Sequence, residues 1–390
     1  LQSMFSHLRS YFKDRQSLAV GVAFWALGFM FGNWATLIPS MKIRYGFDDA
    51  ELGLLLLAIP AGAISFNPVA SLLINKIGMQ KTHFLGFVLL GVCYTLPFSM
   101  PTPLLSATGL LLTGMSISIL NVAMNTCASA IEINQKTSIL STSHGMFSIG
   151  LMIGSLLTGA ALGVKISPQF FMYAMSILVI LLALLTRKQV FSIHEEEVDN
   201  STLSNPKFVF PTGMFLLIIL ISLCTNITEG AMADWTAVYM REIVQTTPFF
   251  IGWGLAGYSL FMALGRFLGD GIIPRFGFNK IIIVGGIITI IGLVIALALP
   301  FTFSAVVGFS LVGAGISCVS PILYGSATRV PGMAKGGGLA TLNTFGMGGF
   351  LLGPVIIGFI SEWLSLPIAL SFVVILVGIW ILIARKTRFY

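Results

Sequence analysis

The sequence predicts an all-α polytopic membrane protein with twelve transmembrane helices in two parallel six-helix repeats. Three observations carry that prediction. Of its 390 residues, 56% are hydrophobic and 9% charged, with a mean hydropathy of +0.96, whereas a soluble domain carries about 25% charge. Twelve apolar runs can be placed, each near the roughly 20 residues that cross a bilayer core. Landmarks of the first half return in the second at one constant spacing.

The first six runs span 17–39, 50–74, 82–100, 103–131, 138–162 and 168–187. The next six span 213–240, 249–273, 280–299, 302–327, 336–361 and 366–385. Between the two sets lies the only long polar stretch, with Glu195, Glu196, Glu197 and Asp199, which reads as a solvated linker. The expected organisation is therefore an N-terminal bundle over 1–187, a cytoplasmic linker over 188–212 and a C-terminal bundle over 213–390. Leu1 to Ser3, ahead of Met4, read as a cloning remnant. No cleavable signal peptide is expected, because Arg9, Lys13 and Arg15 lead into a full-length apolar run.

The repeat appears when the chain is shifted by 199 residues. Gly53 then falls on Gly252, Lys76 on Arg275, Gly78 on Gly277 and Lys81 on Lys280. The same shift pairs Gly86 with Gly285, Gly114 with Gly313, Ser118 with Ser317, Gly150 with Gly349, Gly154 with Gly353 and Gly159 with Gly358. Parallel repeats of this kind are a feature of transporters that work by alternating access.

Charge placement sets the expected orientation. With the N-terminus inside, Arg9, Lys13, Arg15, Lys76, Lys81, Lys136, Arg187, Lys188, Lys207, Arg275, Lys280, Arg329, Lys335, Arg385, Lys386 and Arg388 face the cytoplasm. Only Lys42, Arg44, Lys165 and Arg241 face outward. Sixteen against four puts both termini in the cytoplasm; a bacterial inner membrane is the expected location. Basic residues do not alternate with aromatics, so nucleic acid is not an expected partner despite the net charge of +7. Cys93, Cys127, Cys224 and Cys318 lie in apolar runs without CxxC pairing and read as buried thiols. A His/Cys metal cluster, a nucleophile elbow and a P-loop are all missing. No enzyme activity, metal or cofactor is expected.

The loop SLLINKIGMQK (71–81) and its partner GRFLGDGIIPRFGFNK (265–280) resemble the loop signature of the major facilitator superfamily. The C-terminal copy keeps Gly265, Arg266, Gly269, Asp270, Arg275 and Gly277; in the N-terminal copy Asn75 replaces the usual Asp. The segments FGNWATLIPSMKIRYGF, NVAMNTCASAIE and STSHGMFSIG resemble the YbjJ-like group of that superfamily. The resemblance implies the major facilitator fold. It also implies a conformational charge network of Lys76, Arg266, Asp270 and Arg275, not substrate contact.

Glu229 and Asp234 sit inside the seventh run, where a carboxylate costs at least a few kcal/mol and so needs a partner, a pathway or a proton. They are about 140° apart around a helix, so they do not share a face. Both are proton-coupling candidates; the bland reading is a hydrogen-bonded helix anchor. His144, taken as the only intramembrane histidine, is a third candidate, against a packing role. Asn121 and Asn125 are one turn apart on one face, where amides need substrate, water or a neighbouring helix. They are substrate-cavity candidates, with Ser148, Asn226, Tyr324 and Asn343, which is the repeat partner of His144. Asn33-Trp34 and Asp234-Trp235 precede the outer ends of equivalent helices. Trp34 and Trp235 read as cavity walls, an outer gate or interfacial aromatics, and Asn33 goes with them. The Gly-rich motifs GLMIGSLLTG and GMGGFLLGPVIIG read as close helix packing.

The reading is a monomeric secondary active transporter of a small polar organic solute, sugar-like by its amide and Trp lining. Alternating access and proton symport through Glu229 are expected, with solute, protons and lipid bilayer as the partners. Two alternatives remain: a proton-driven exporter of amphipathic compounds, and a non-transporting membrane sensor on the same fold.

Overall fold

The computed structural model describes residues 10–135, 137, 139–194, 210–330 and 337–389, without the side chains of 270, 337 and 340. The Leu1–Ser3 remnant, the acidic linker residues 195–201, and Arg9, Lys136, Lys207 and Lys335 of the charge census lie outside the described residues.

Twelve helical segments are long and apolar enough to cross a membrane, and among the described residues there is no strand. The first half comprises α1 (Arg15–Tyr45), α2 (Asp49–Leu56), α3 (Ala58–Ile77), α4 (Met79–Cys93), α5 (Leu96–Ser99), α6 (Pro103–Gln135), α7 (Leu140–Gly163) and α8 (Pro168–Phe191). The second half comprises α9 (Gly213–Glu242), α10 (Trp253–Phe276), α11 (Phe278–Ala298), α12 (Thr302–Ile316), α13 (Val319–Ala327), α14 (Gly337–Trp363) and α15 (Leu366–Ala384). The helices pack as two compact units. One gathers the described residues up to Gly46 and from Ala58 to His194; the other gathers Phe47–Leu57 and the described residues from Phe210 onward.

The local chemistry explains the breaks. Asp14 caps α1, its carboxylate accepting from the Ser17 amide at 2.8 Å and the Ser17 hydroxyl at 2.6 Å. Gly46 ends the helix in the left-handed region, at φ 67°. Asp48 and Glu51 cap α2 reciprocally. The second span divides at Leu57, and Pro60, the third residue of α3, lacks the amide that would bond the Leu56 carbonyl. The tenth span divides in the same way. Pro321, the third residue of α13, leaves the Ser317 carbonyl without its helical donor.

In each unit the repeat reappears as matching contacts. Gly114 of α6 lies against α3, where a Cβ would come within 2.0 Å of the Ile59 carbonyl oxygen. Its partner Gly313 of α12 lies against α10, at 2.0 Å from the Tyr258 carbonyl oxygen by the same construction; Ile59 and Tyr258 are themselves 199 residues apart. Gly150 and Gly154 of α7 press on Trp25 and Phe29 of α1, as Gly349 and Gly353 of α14 press on Leu223 and Ile227 of α9. The glycine motifs thus bring backbone against backbone, as small residues do between membrane helices.

Gly114→Leu drives a side chain into the Ile59 backbone and is expected to lower stability by about 2 kcal/mol or more. Gly378→Ala, which meets open space, serves as its unperturbed control; melting in detergent reads both. Burial works against ionisation of Asp14, but hydrogen bonds from Ser17 and Gln135 outweigh it and lower its pKa below 3.8. A depressed carboxylate stabilises the fold above its unfolded pKa and loses that contribution as pH falls through the folded value. Asp14→Ala is therefore expected to cost about 1 kcal/mol at neutral pH, with the difference from the parent shrinking below pH 3.8.

Candidate functional site

Helix α9 is 30 residues long, about 45 Å, and Glu229 lies near its middle. The side chain is half-buried. Its Oε1 accepts a hydrogen bond from Ser320 Oγ at 3.1 Å. Ser320 is the second residue of α13, just past the proline-induced break, so the carboxylate meets the positive end of a new helix. Arg266 of α10 lies within electrostatic reach of Glu229. Tyr258 of α10 and Tyr324 of α13 lie in the field of both charges. Tyr258 is 4% exposed and Tyr324 42%, so one ring closes the cluster and the other opens it.

Close packing holds these groups in place. Gly265, beside Arg266, leaves room for Ser317 at the break; a Cβ there would come within 2.1 Å of the Ser317 hydroxyl oxygen. Cys318 Sγ donates to the Gly265 carbonyl at 3.4 Å. One turn before Glu229, Asn226 Nδ2 donates to the Ser222 carbonyl at 2.7 Å and to its hydroxyl at 3.1 Å. Gly346 and Gly349 of α14 lie against Asn226. A carboxylate opposite a guanidinium is electrically balanced, and a proton on Glu229 removes half of that balance. The cluster is therefore able to exchange a charge interaction for a proton.

The remaining residues singled out from sequence fall in several settings. Asp234 is half-buried, and no hydrogen bond reaches it among the described residues. Trp235 is fully buried, 3.3 Å from where a Gly358 Cβ would stand, and its Nε1 lacks a hydrogen-bond partner among the described residues. Asn33 is enclosed between α1 and α7, where Thr158 Oγ1 donates to its Oδ1 at 2.9 Å. Trp34 is buried edge-on to Phe98, with ring centroids 5.8 Å apart. Asn121 is exposed and Asn125 half-buried. Ser148 is buried and donates to the His144 carbonyl at 3.4 Å, while the His144 ring is exposed, with one edge on Phe24. Asn343 is exposed on α14. Lys76 and Arg275 are exposed in the last turns of α3 and α10. Asp270 lies on α10, its side chain outside the described residues.

One expectation is corrected. His144 is not the only histidine inside a span, because the third span, Met79–Ser99, also holds His83. His83 is 1% exposed, its Nε2 has no hydrogen-bond partner among the described residues, and its ring meets Phe87 edge-on at 6.0 Å. It stands at the margin of the apolar run, where hydropathy does not separate a buried ring from an interfacial one. Sequence reasoning also missed Tyr258 and Ser320. The repeat offers one signal for Ser320: it is the partner of Asn121, 199 residues earlier.

Comparison with known proteins agrees with this architecture. The profile of the Major Facilitator Superfamily matches residues 19–243 and 214–389. An uncharacterized MFS-type transporter of Yersinia pestis is 34% identical, over 93% of this chain and 93% of its own. The membrane protein MosC of Rhizobium meliloti is 29% identical, over 95% of this chain and 89% of its own. A crystal structure of a mutant of the nucleoside transporter NupG shares the fold with a TM-score of 0.71 at 13% identity, covering 95% of this chain and 98% of that one. The chain belongs to the major facilitator superfamily, and it is a multi-pass membrane protein of that transporter class.

The Glu229–Arg266 pairing predicts a specific energetic coupling. Both side chains are half-buried, and removing one of two facing opposite charges leaves the other uncompensated, at about 1–3 kcal/mol. Arg266→Met is expected to lower the melting temperature, and Glu229→Gln in the same chain to restore most of the loss. Additive losses in that double-mutant cycle would show that the two charges do not interact.

Proposed function

We propose that the chain is a proton-coupled symporter of a small, neutral, polar organic solute of sugar type, working by alternating access. The observation that carries the reading is Glu229. It is a carboxylate at mid-span, held by Ser320 at the start of a broken helix and balanced by Arg266. Discontinuous helices that turn a terminus toward a ligand are a recurrent way to build transporter sites. Protonation of Glu229 discharges the carboxylate and weakens its hold on both partners. That change is what a proton-driven cycle requires at one step and reverses at another.

Asn226 and Tyr324 flank the carboxylate with groups suited to hydroxylated solutes. A nucleoside, the solute named for the structural relative NupG, is likewise neutral and hydroxylated. The charge census supports both termini on the cytoplasmic side of a bacterial inner membrane. The segments quoted above favour the YbjJ-like group, with the protein acting as a monomer.

Glu229→Gln keeps an acceptor for Ser320 but takes no proton. In proteoliposomes under an imposed pH gradient, it is expected to abolish uphill accumulation while solute exchange at equilibrium continues. Unchanged proton-driven uptake across pH would remove Glu229 from the coupling step.

A further inference from the structure

We infer that the first unit carries a neutral, hydroxyl-binding subsite formed by Asn67 of α3 with Ser118, Asn121 and Asn125 of α6, suited to adjacent hydroxyls on a polyol or sugar ring. The inference rests on reading the chain as a carrier of a polar solute, and it names the groups that recognise that solute. Ser118, Asn121 and Asn125 recur at i, i+3 and i+7, so they share one face of α6. Ser118 Oγ donates to Asn67 Oδ1 at 2.6 Å, joining that face to α3. Asn67 is half-buried and adjoins Pro68, whose missing amide frees the Ile64 carbonyl.

Hydrogen-bond accounting gives the subsite its selectivity. Asn125 Nδ2 donates to the Asn121 backbone carbonyl at 2.8 Å and to Asn121 Oδ1 at 2.6 Å. A backbone carbonyl only accepts, so the Asn125 amide is fixed with its nitrogen inward and its oxygen outward. Asn121 accepts through its oxygen and keeps its NH2 group for a ligand. The pair therefore presents one donor group and one acceptor that no described residue satisfies. Two neighbouring hydroxyls match both, because each hydroxyl donates and accepts. An anion matches only the donor and a cation only the acceptor.

Neither helix brings a charge to this face. The nearest charged side chains on α3 and α6 are Lys76 and Glu132, both near helix ends. Glu132 Oε1 is occupied by the amides of Ile139 and Leu140. The repeat supplies an independent argument. At the 199-residue shift, Asn67 corresponds to Arg266, Ser118 to Ser317, Asn121 to Ser320 and Asn125 to Tyr324. The frame that holds the Glu229 cluster in the second unit holds an uncharged amide set in the first.

The test uses the full-length purified chain with uridine, D-ribose, D-xylose and myo-inositol as probes, read by thermal stabilisation and equilibrium dialysis. At least one probe is expected to bind, and its analogue lacking one ring hydroxyl to bind about tenfold more weakly. Asn67→Ala, Asn121→Ala and Asn125→Ala are each expected to weaken that probe about tenfold. The melting temperature of the ligand-free protein is expected to change little in the two α6 variants and to fall in Asn67→Ala, which strands the buried Ser118 hydroxyl. Equal affinity in the three variants would overturn the subsite, as would failure of all four neutral probes to bind, whether or not charged probes such as succinate or spermidine bind. Polyol binding that depends on these residues, in a protein that moves no polyol across proteoliposomes, would sustain the subsite and overturn the transport reading alone.

Discussion

The constraint on which the second unit depends is a carboxylate placed where water is scarce. Glu229 sits near the middle of α9, and an uncompensated charge at that depth is expensive. The fold answers with two groups from two other helices: the Ser320 hydroxyl at 3.1 Å and the Arg266 guanidinium. Both arrive by way of irregular or close packing. Ser320 is presented because Pro321 stops α12 from running into α13 as one helix. The α10 segment that carries Arg266 approaches the break because Gly265 has no side chain to hold it off. One hydrogen bond at a helix break ties α13 to α9, the Arg266 charge adds α10, and a single proton on Glu229 alters both interactions.

The first unit shows what the same frame does without that charge. The close contacts recur: Gly114 on Ile59 mirrors Gly313 on Tyr258. The bond from Ser118 to Asn67 lies where the second unit places Ser317 and Arg266. Here α6 runs unbroken for 33 residues, since it has no proline at the position matching Pro321; Val122 stands there. With no carboxylate to hold, no helix terminus is needed. Packing is conserved between the halves of this chain while the chemistry on it differs.

Most of the fold was legible in the sequence because its signals are collective. Twelve apolar runs and a repeat of fixed offset draw on hundreds of residues, and an error at any one position changes little. The candidate site was legible only in part. Glu229, Asn226 and Tyr324 stood out as polar groups in apolar runs. Arg266 stood out through a loop motif, and that motif said nothing of its nearness to Glu229. Ser320 and Tyr258 did not stand out by composition or hydropathy, because serine and tyrosine are ordinary in membrane helices; their partners on other helices distinguish them, and for Ser320 so does the repeat. His83 was obscured by its place at the margin of an apolar run. The packing of α2 on α14, where Ser361 donates to Asp49 and Glu362 accepts from the Asp49 amide at 3.1 Å, leaves no periodic trace in hydropathy.

The internal repeat turns this limit into a method. A lone asparagine such as Asn67 says little, since an amide in a membrane helix is often a helix-bridging group. Aligned with Arg266 it says more, because one frame position then bears a polar side chain in both halves. Helix packing alone does not call for that coincidence, since small or apolar residues fill most equivalent positions. A position that stays polar while its neighbours serve packing is selected for what its side chain touches. Along α3 and α10 the positions polar in both halves are Asn67 with Arg266, Ser71 with Asp270 and Lys76 with Arg275, and along α6 and α12–α13 they include Ser118 with Ser317, Asn121 with Ser320, Asn125 with Tyr324 and Ser129 with Thr328. Arg266, Ser317, Ser320 and Tyr324 belong to, or border, the Glu229 cluster, and their partners Asn67, Ser118, Asn121 and Asn125 form the polar set of the other unit, whereas Lys76 and Arg275 lie exposed at helix ends. Sequence symmetry thus recovers in the first unit a polar surface that composition and hydropathy alone left unconnected.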